Sequence, residues 1–132
     1  MKEEDFRQSL VLHMVKQRGY PLSSLSVECA LARIFPCSFS HRWGKKRVDV
    51  ICMHVWKGEY LPLLVIECKR GSLREWMWHQ LLGYNFFLKA PFLILASPQS
   101  MELRESKGGE ILSGHIPSFY YLKARLKEGG YV

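Results

Sequence analysis

Apolar positions recur with a helical period at the start of the chain. In residues 3–18, Phe6, Leu10 and Met14 fall on one stripe, which predicts an amphipathic helix with that stripe in the core. Acidic residues open the segment, where the helix dipole favours negative charge. Gly19 follows the segment and is typical of a helix end.

The next segment alternates with the period of a strand. Residues 25–34 place Val27, Cys29 and Leu31 on one face and Glu28 on the other. Because strand side chains alternate between two faces, we expect one strand here, with Glu28 exposed.

A β-hairpin is predicted for residues 47–71, which read RVDVICMHVWKGEYLPLLVIECKRG. The first half alternates apolar and polar side chains, and residues 61–66 are nearly all apolar, as in a strand buried on both faces. A tight turn is expected around Gly58. The charged residues that interrupt this apolar pattern are Asp49, Glu67 and Lys69.

The register of this hairpin can be counted from the turn. A three-residue turn would pair Trp56 with Tyr60 and, counting outward, Asp49 with Glu67. Directly opposed β-carbons lie roughly 5 Å apart. Two buried carboxylates at that distance repel each other unless a cation or proton intervenes. A divalent metal removes the repulsion, and oxygen ligands suit Mg²⁺ or Mn²⁺. Alternatively, the two acids only flank strands and Lys69 pairs with one of them.

A helix and a strand follow the hairpin. Residues 73–88 are predicted to be a helix, with Ser72 as the N-cap and Glu75 completing a capping box. Residues 92–96 form an apolar run, and a strand there would lie parallel to the strand ending at Glu67. The order is therefore αβββαβ, an α/β fold with a mixed central sheet flanked by helices. Residues 97–114 are expected to form a loop or ragged helix, and 118–126 either a strand or a helix.

Composition limits the class of protein. A chain of 132 residues, 48% of them hydrophobic, fits a single domain over residues 1–132 with a real core. No apolar run approaches the ~20 residues that span a bilayer, and the charged start MKEEDFRQ is unlike a signal peptide. The four cysteines lack metal-binding spacing. We therefore expect a cytoplasmic protein with reduced thiols and no membrane partner.

Positive charge is concentrated around the charged hairpin residues. The formal net charge is +7, which is compatible with a polyanionic partner such as DNA. Residues 35–43 are expected to form a loop on the nucleic-acid side. The basic residues that flank the carboxylates, and would neutralise phosphates there, are Arg42, Lys45, Lys46, Arg47, Lys69, Arg70 and Arg74. A further basic group, at residues 123–127, is expected to be ordinary solvated surface.

Several motifs in this order resemble a known family. Asp49 followed by Glu67-Cys68-Lys69 resembles the PD-(D/E)XK nuclease signature, although Val48 stands where that pattern often has proline. The amino-acid sequence of the hairpin is similar to that of the N-terminal nuclease domain of type I restriction enzyme R subunits. Gln80 and Tyr84 match the QxxxY motif of that branch, and the first helix is similar as well. The similarity spans from about Glu3 to about Ser97.

The resemblance implies a restriction-endonuclease-like fold and metal-dependent hydrolysis of DNA, in restriction or in repair. Asp49 and Glu67 would hold Mg²⁺ or Mn²⁺ together with the main-chain carbonyl of Cys68. Lys69 would position a water molecule or stabilise charge on the phosphate.

The same resemblance assigns supporting residues. Glu4, in preference to Glu3, would complete the site. Gln80 would orient it or contact the DNA backbone, with Tyr84 in support. The alternative is a domain that keeps the fold without catalysis and binds nucleic acid, a protein partner or a second copy of itself.

Overall fold

Helices and strands make up most of the part of the chain that the structure describes. The computed structural model describes residues 2–34, 45–108 and 111–128. Its elements are α1 (Glu3–Gln17), β1 (Leu25–Ala30), α2 (Leu31–Ile34), β2 (Arg47–Trp56), β3 (Glu59–Cys68), α3 (Glu75–Leu88), β4 (Phe92–Ala96), β5 (Met101–Glu105), β6 (Ile111–Ser113) and α4 (Phe119–Glu128), with a single 3-10 turn at Leu22–Ser24. The loop expected at 35–43, which includes Arg42, lies outside the described residues. No helix in the described ranges is long and apolar enough to cross a bilayer.

The strands form one mixed sheet. Its order is β1-β2-β3-β4-β5-β6. β3 and β4 are parallel, and every other neighbouring pair is antiparallel. Apart from the short α2, the order from α1 to β4 is αβββαβ, so the predicted fold class is confirmed, including the parallel crossover through α3.

Two hydrophobic layers flank the sheet. α1 and α4 contribute Leu10, Met14 and Leu122 to the cluster on one face, which includes Ile66 of β3. α3 contributes to the cluster on the other face, which includes Val65 of β3. Since side chains alternate along β3, Glu67 follows Val65 onto the α3 side of the sheet.

The hairpin turn is shorter than the sequence predicted. Trp56 pairs with Glu59 instead of Tyr60, and the turn consists of Lys57 and Gly58, with φ of 53° and 81°. Positive φ at both central residues is the geometry of a type I′ turn, which matches the twist of two-residue hairpins. The prediction of a three-residue turn was therefore wrong.

A bulge later in the hairpin restores the predicted register. Met53 pairs with Pro62, whereas Cys52 pairs with Leu64. β3 therefore has one extra residue, Leu63, against its partner, as in a β-bulge. The one-residue shift from the turn is cancelled before the strands reach Asp49 and Glu67.

Three other expectations needed correction, and one open alternative was resolved. β1 stops at Ala30 and the chain continues as α2 (Leu31–Ile34), although the N–H of Leu31 still bonds to the carbonyl oxygen of Lys46 at 3.0 Å. α3 begins at Glu75 with Arg74 at its N-cap, so the capping box at Ser72 was wrong. Residues expected to form a loop or ragged helix contain β5 and β6, and the undecided C-terminal segment is α4.

Candidate active site

Asp49 and Glu67 meet where β2 begins and β3 ends. Continuing the pairing of Val50 with Ile66 by one residue sets them opposite each other. There the backbone N–H of Asp49 donates to Oε1 of Glu67 at 3.4 Å. The backbone N–H of Cys68 donates to Oδ2 of Asp49 at 2.8 Å. Each carboxylate is therefore held by the other strand's backbone, and the two converge at one end of the sheet.

The Glu67 carboxylate lies in an environment that disfavours its charge. Glu67 is 3% exposed, and its burial is the main reason why its pKa is raised. The positive charge of Lys46 lowers this pKa, the negative charge of Asp49 raises it, and the neighbouring Tyr84 hydroxyl lowers it. Burial and repulsion outweigh the contacts that favour the charge, so a cation beside Glu67 favours its ionised form.

Two basic side chains supply positive charge to the carboxylates. Nζ of Lys46 lies 3.0 Å from Oε2 of Glu67. Nη1 of Arg7, on α1, lies 3.5 Å from Oδ1 of Asp49, and its Nη2 lies 3.6 Å from Oε1 of Glu28. Arg7 is buried, so α1 places a buried positive charge beside the end of the sheet.

Sequence reasoning missed Arg7, although a signal existed. Arg7 stands three residues before Leu10 and seven before Met14. It therefore falls on the buried stripe of α1. Glu28 was expected to be exposed, and it is, but it also shares the Arg7 guanidinium with Asp49.

Tyr84 closes the site from the α3 side. It is 1% exposed, and its pKa is raised well above the ordinary value by burial and then by the Glu67 charge. Nζ of Lys46 lies 5.4 Å from the centre of its ring. Lys46 therefore sits against both Glu67 and Tyr84 and does not extend freely from the surface.

Lys69 lies at the same end of the sheet but contacts a different group. Its backbone N–H bonds to the carbonyl oxygen of Ala96 at 2.7 Å, and its Nζ lies 5.9 Å from the ring centre of Trp76. Within the described residues, Lys69 forms no ion pair. Among the described residues, the lysine whose amine contacts Glu67 is Lys46.

Most of the chain matches the model of a known protein family. Residues 2–112 of the 132 match the family model described as Type I restriction enzyme R protein N terminus (HSDR_N). The chain belongs to this family. The match includes α1 through β5 and both carboxylates. No curated protein and no solved structure matches the chain.

The first turn of α1 bears on which acidic residue of this HSDR_N chain lies near the site. Glu4 is exposed, accepts a hydrogen bond from Gln8 at 3.5 Å, and lines a groove that Arg7 and Glu28 also line. Oε2 of Glu3 is 3.9 Å from Nε of Arg70, the second residue after β3. The structure therefore places Glu3 beside the end of β3 and Glu4 in the groove beside Arg7 and Glu28.

The other predicted residues lie around the carboxylates on the surface. Gln80 is exposed on α3, so Tyr84 alone of the QxxxY pair reaches Glu67. Nη1 of Arg47 donates to the carbonyl oxygen of Glu28 at 3.0 Å. The predicted basic residues that are exposed near the start of β2 or after β3 are Lys45, Arg47, Arg70 and Arg74.

The donor set fits a hard divalent cation. Across residues 2–34, 45–108 and 111–128, no three His, Cys, Asp or Glu side chains are grouped to share an ion. Mg²⁺, however, is commonly bound by one or two carboxylates, and waters complete its shell. Asp49 and Glu67 supply those carboxylates. Burial raises the pKa of the Cys68 thiol to about 12, so the Cys68 side chain is not suited to supply a thiolate ligand.

Proposed function

We propose that this domain is a nuclease of the PD-(D/E)XK type that hydrolyses phosphodiester bonds in DNA. The observation that carries the proposal is the convergence of Asp49 and Glu67 at the end of the hairpin, in a chain of the HSDR_N family. Lys69, two residues beyond Glu67, completes the D…ExK pattern. A pair of carboxylates at one end of a sheet supports this proposal, because such a pair can hold a divalent ion for metal-assisted hydrolysis.

Asp49 and Glu67 would hold Mg²⁺ or Mn²⁺, with the carbonyl oxygen of Cys68 as a further ligand. When bound, such an ion supplies Lewis-acid polarisation of the phosphate and makes water more acidic. The chain's own groups orient the ligands: the N–H of Cys68 donates to Asp49, and the N–H of Asp49 donates to Glu67. Lys69 would place positive charge beside the developing phosphate charge.

DNA would lie across the end of the sheet. Exposed basic residues border the carboxylates on both sides, at Lys45 and Arg47 and again at Arg70 and Arg74. Contacts of this kind position a duplex through its phosphates without reading sequence.

Free thiols at Cys29, Cys52 and Cys68 support a reducing compartment such as the cytoplasm.

Cleavage assays test the proposal. Plasmid and linear duplex DNA are incubated with Mg²⁺, with Mn²⁺ and with a chelator. The wild type is expected to cut with metal only, and Asp49→Asn or Glu67→Gln should lower the rate at least ~100-fold. Glu59→Gln, an exposed acid at the other end of β3, is the matched control and should cut normally. Metal-independent cutting, or full activity in Asp49→Asn, would contradict the proposal.

A second candidate is a non-catalytic module of the same fold that binds DNA or a protein partner. The observation that favours it is the neutralisation of both acids by side chains, Glu67 by Lys46 and Asp49 by Arg7. DNA binding without cleavage under any metal would support this candidate. Loss of both activities would point to a protein partner or a second copy of the chain.

A further inference from the structure

We propose, on the basis of the metal site described above, that Lys46 is an internal competitor of the divalent cation. Its ammonium group is paired with the Glu67 carboxylate and has to move away before a metal ion binds there. Lys46 is thus a positioning residue that sets the metal affinity of the site, in addition to any contact with DNA.

The contact between Lys46 and Glu67 is direct and largely buried. Nζ lies 3.0 Å from Oε2, and the Glu67 side chain is 4% exposed against 26% for Lys46. Two acids repel each other here, and the buried one is paired with Lys46. Because a buried carboxylate without a partner is costly, the lysine stabilises the metal-free protein.

The backbone of Lys46 is fixed, so the exchange needs only a side-chain movement. Its carbonyl oxygen accepts the N–H of Leu31 at 3.0 Å, and the next residue, Arg47, pairs with Ala30 of β1. The side chain is the more exposed member of its ion pair. It can therefore move into water, or onto a phosphate, while Glu67 stays in place.

Lys46 and a metal ion exclude each other at this carboxylate. A Mg²⁺ ion binds oxygen at about 2.1 Å, while the ammonium of Lys46 is 3.0 Å from an oxygen of the same carboxylate. Two cations on one buried carboxylate repel strongly at low effective dielectric. Arg7 is different, since Glu28 as well as Asp49 lies beside its guanidinium, and it can remain where it is.

Calorimetric titration with MnCl₂ tests the competition without any need for DNA or activity. At about pH 8, where ordinary carboxyl groups are ionised, Lys46→Met should bind Mn²⁺ at least tenfold more tightly than the wild type, or about 1.4 kcal/mol. Lys46→Arg keeps the positive charge and should bind no more tightly than the wild type. Lys57→Met, an exposed lysine at the opposite end of the hairpin, makes the same change in net charge and should match the wild type.

Equal or weaker Mn²⁺ binding by Lys46→Met would overturn the proposal, as would the absence of binding in all variants. If Lys46→Met does not fold, Lys46→Gln is used in the same titration. Tighter binding without DNA cleavage would support the competitor role and contradict the nuclease function. If the wild type cleaves DNA but Lys46→Met binds Mn²⁺ no more tightly than the wild type, the nuclease function is supported and the competitor role is contradicted.

Discussion

Arg7 of α1 lies against Asp49 of β2, with Nη1 of the guanidinium 3.5 Å from Oδ1. The side chains of Arg7 and Asp49 are 10% and 16% exposed. An acid at a sheet end is therefore stabilised by a helix that is distant in sequence. The packing of α1 and the charge state of the site depend on each other.

Removal of Arg7 should destabilise the domain. Arg7→Met leaves Asp49 with the backbone N–H of Cys68 but without its cation, so we expect a loss of about 1–3 kcal/mol in the free energy of unfolding. Urea denaturation measures this change. Arg33→Met, on the surface of α2, should change the free energy by less than ~0.5 kcal/mol.

The double variant identifies the cause. If the cost arises from an unpaired carboxylate, Arg7→Met combined with Asp49→Asn should recover more than half of the loss. Full stability in Arg7→Met alone would show that this ion pair does not stabilise the fold.

Glu67 should make stability depend on pH in a defined direction. Its pKa in the folded protein is raised above the ordinary value of 4.5, chiefly by burial. Well below that value, both folded and unfolded forms carry a protonated carboxyl group. As the pH rises further, the unfolded form ionises first, so the wild type loses stability relative to a neutral side chain until the folded pKa has been passed.

Glu67→Gln measures this effect in metal-free protein. As the pH is raised through 4.5, the free energy of unfolding of Glu67→Gln should increase relative to that of the wild type. Glu59→Gln, at an exposed position, should show no comparable trend. A difference that moves the other way would mean that Lys46 and Tyr84 outweigh burial at this carboxylate.

His54 should have the opposite dependence. Its pKa is lowered from 6.5 to about 4, first by burial and then by Lys123, whose Nζ lies 2.8 Å from Nδ1. Between these pH values the unfolded chain binds a proton that the folded protein does not, so stability falls as the pH falls from 6.5 towards 4.

A variant that keeps the hydrogen-bond acceptor isolates this proton. His54→Asn can place its Oδ1 where Nδ1 lies, and its stability should fall less steeply than that of the wild type over this range. Unfolding curves at stepped pH provide the measurement. His13→Asn, on the exposed face of α1, should retain the wild-type slope. Parallel slopes for wild type and His54→Asn would refute this role for His54.

The opposition of Asp49 and Glu67 could be predicted from the hairpin, but only because two errors cancelled. Alternation fixes which residues share a face, whereas the turn type depends on φ at Lys57 and Gly58. The bulge at Leu63 compensated for the shorter turn. A bulge is a property of two paired strands and has no clear signature in either strand alone.

Other parts of the structure depend on distant contacts. β5 reads MELRE, and Leu103 is its one fully buried residue. A strand with so little apolar pattern is recognised only once β4 is beside it. Lys46 stands in a basic run that predicts a DNA-binding surface, and nothing local indicates that its amine is bonded to Glu67. Long-range ion pairs of this kind are not encoded in spacing.

In the proposed nuclease, Asp49 and Glu67 together bind the metal ion. Anomalous diffraction from crystals soaked in MnCl₂ locates such an ion. We predict one manganese peak within about 2.0–2.3 Å of oxygens from both carboxylates, with Nζ of Lys46 displaced from Glu67. No peak at this position, with the ammonium of Lys46 still on the Glu67 carboxylate, would contradict the claim.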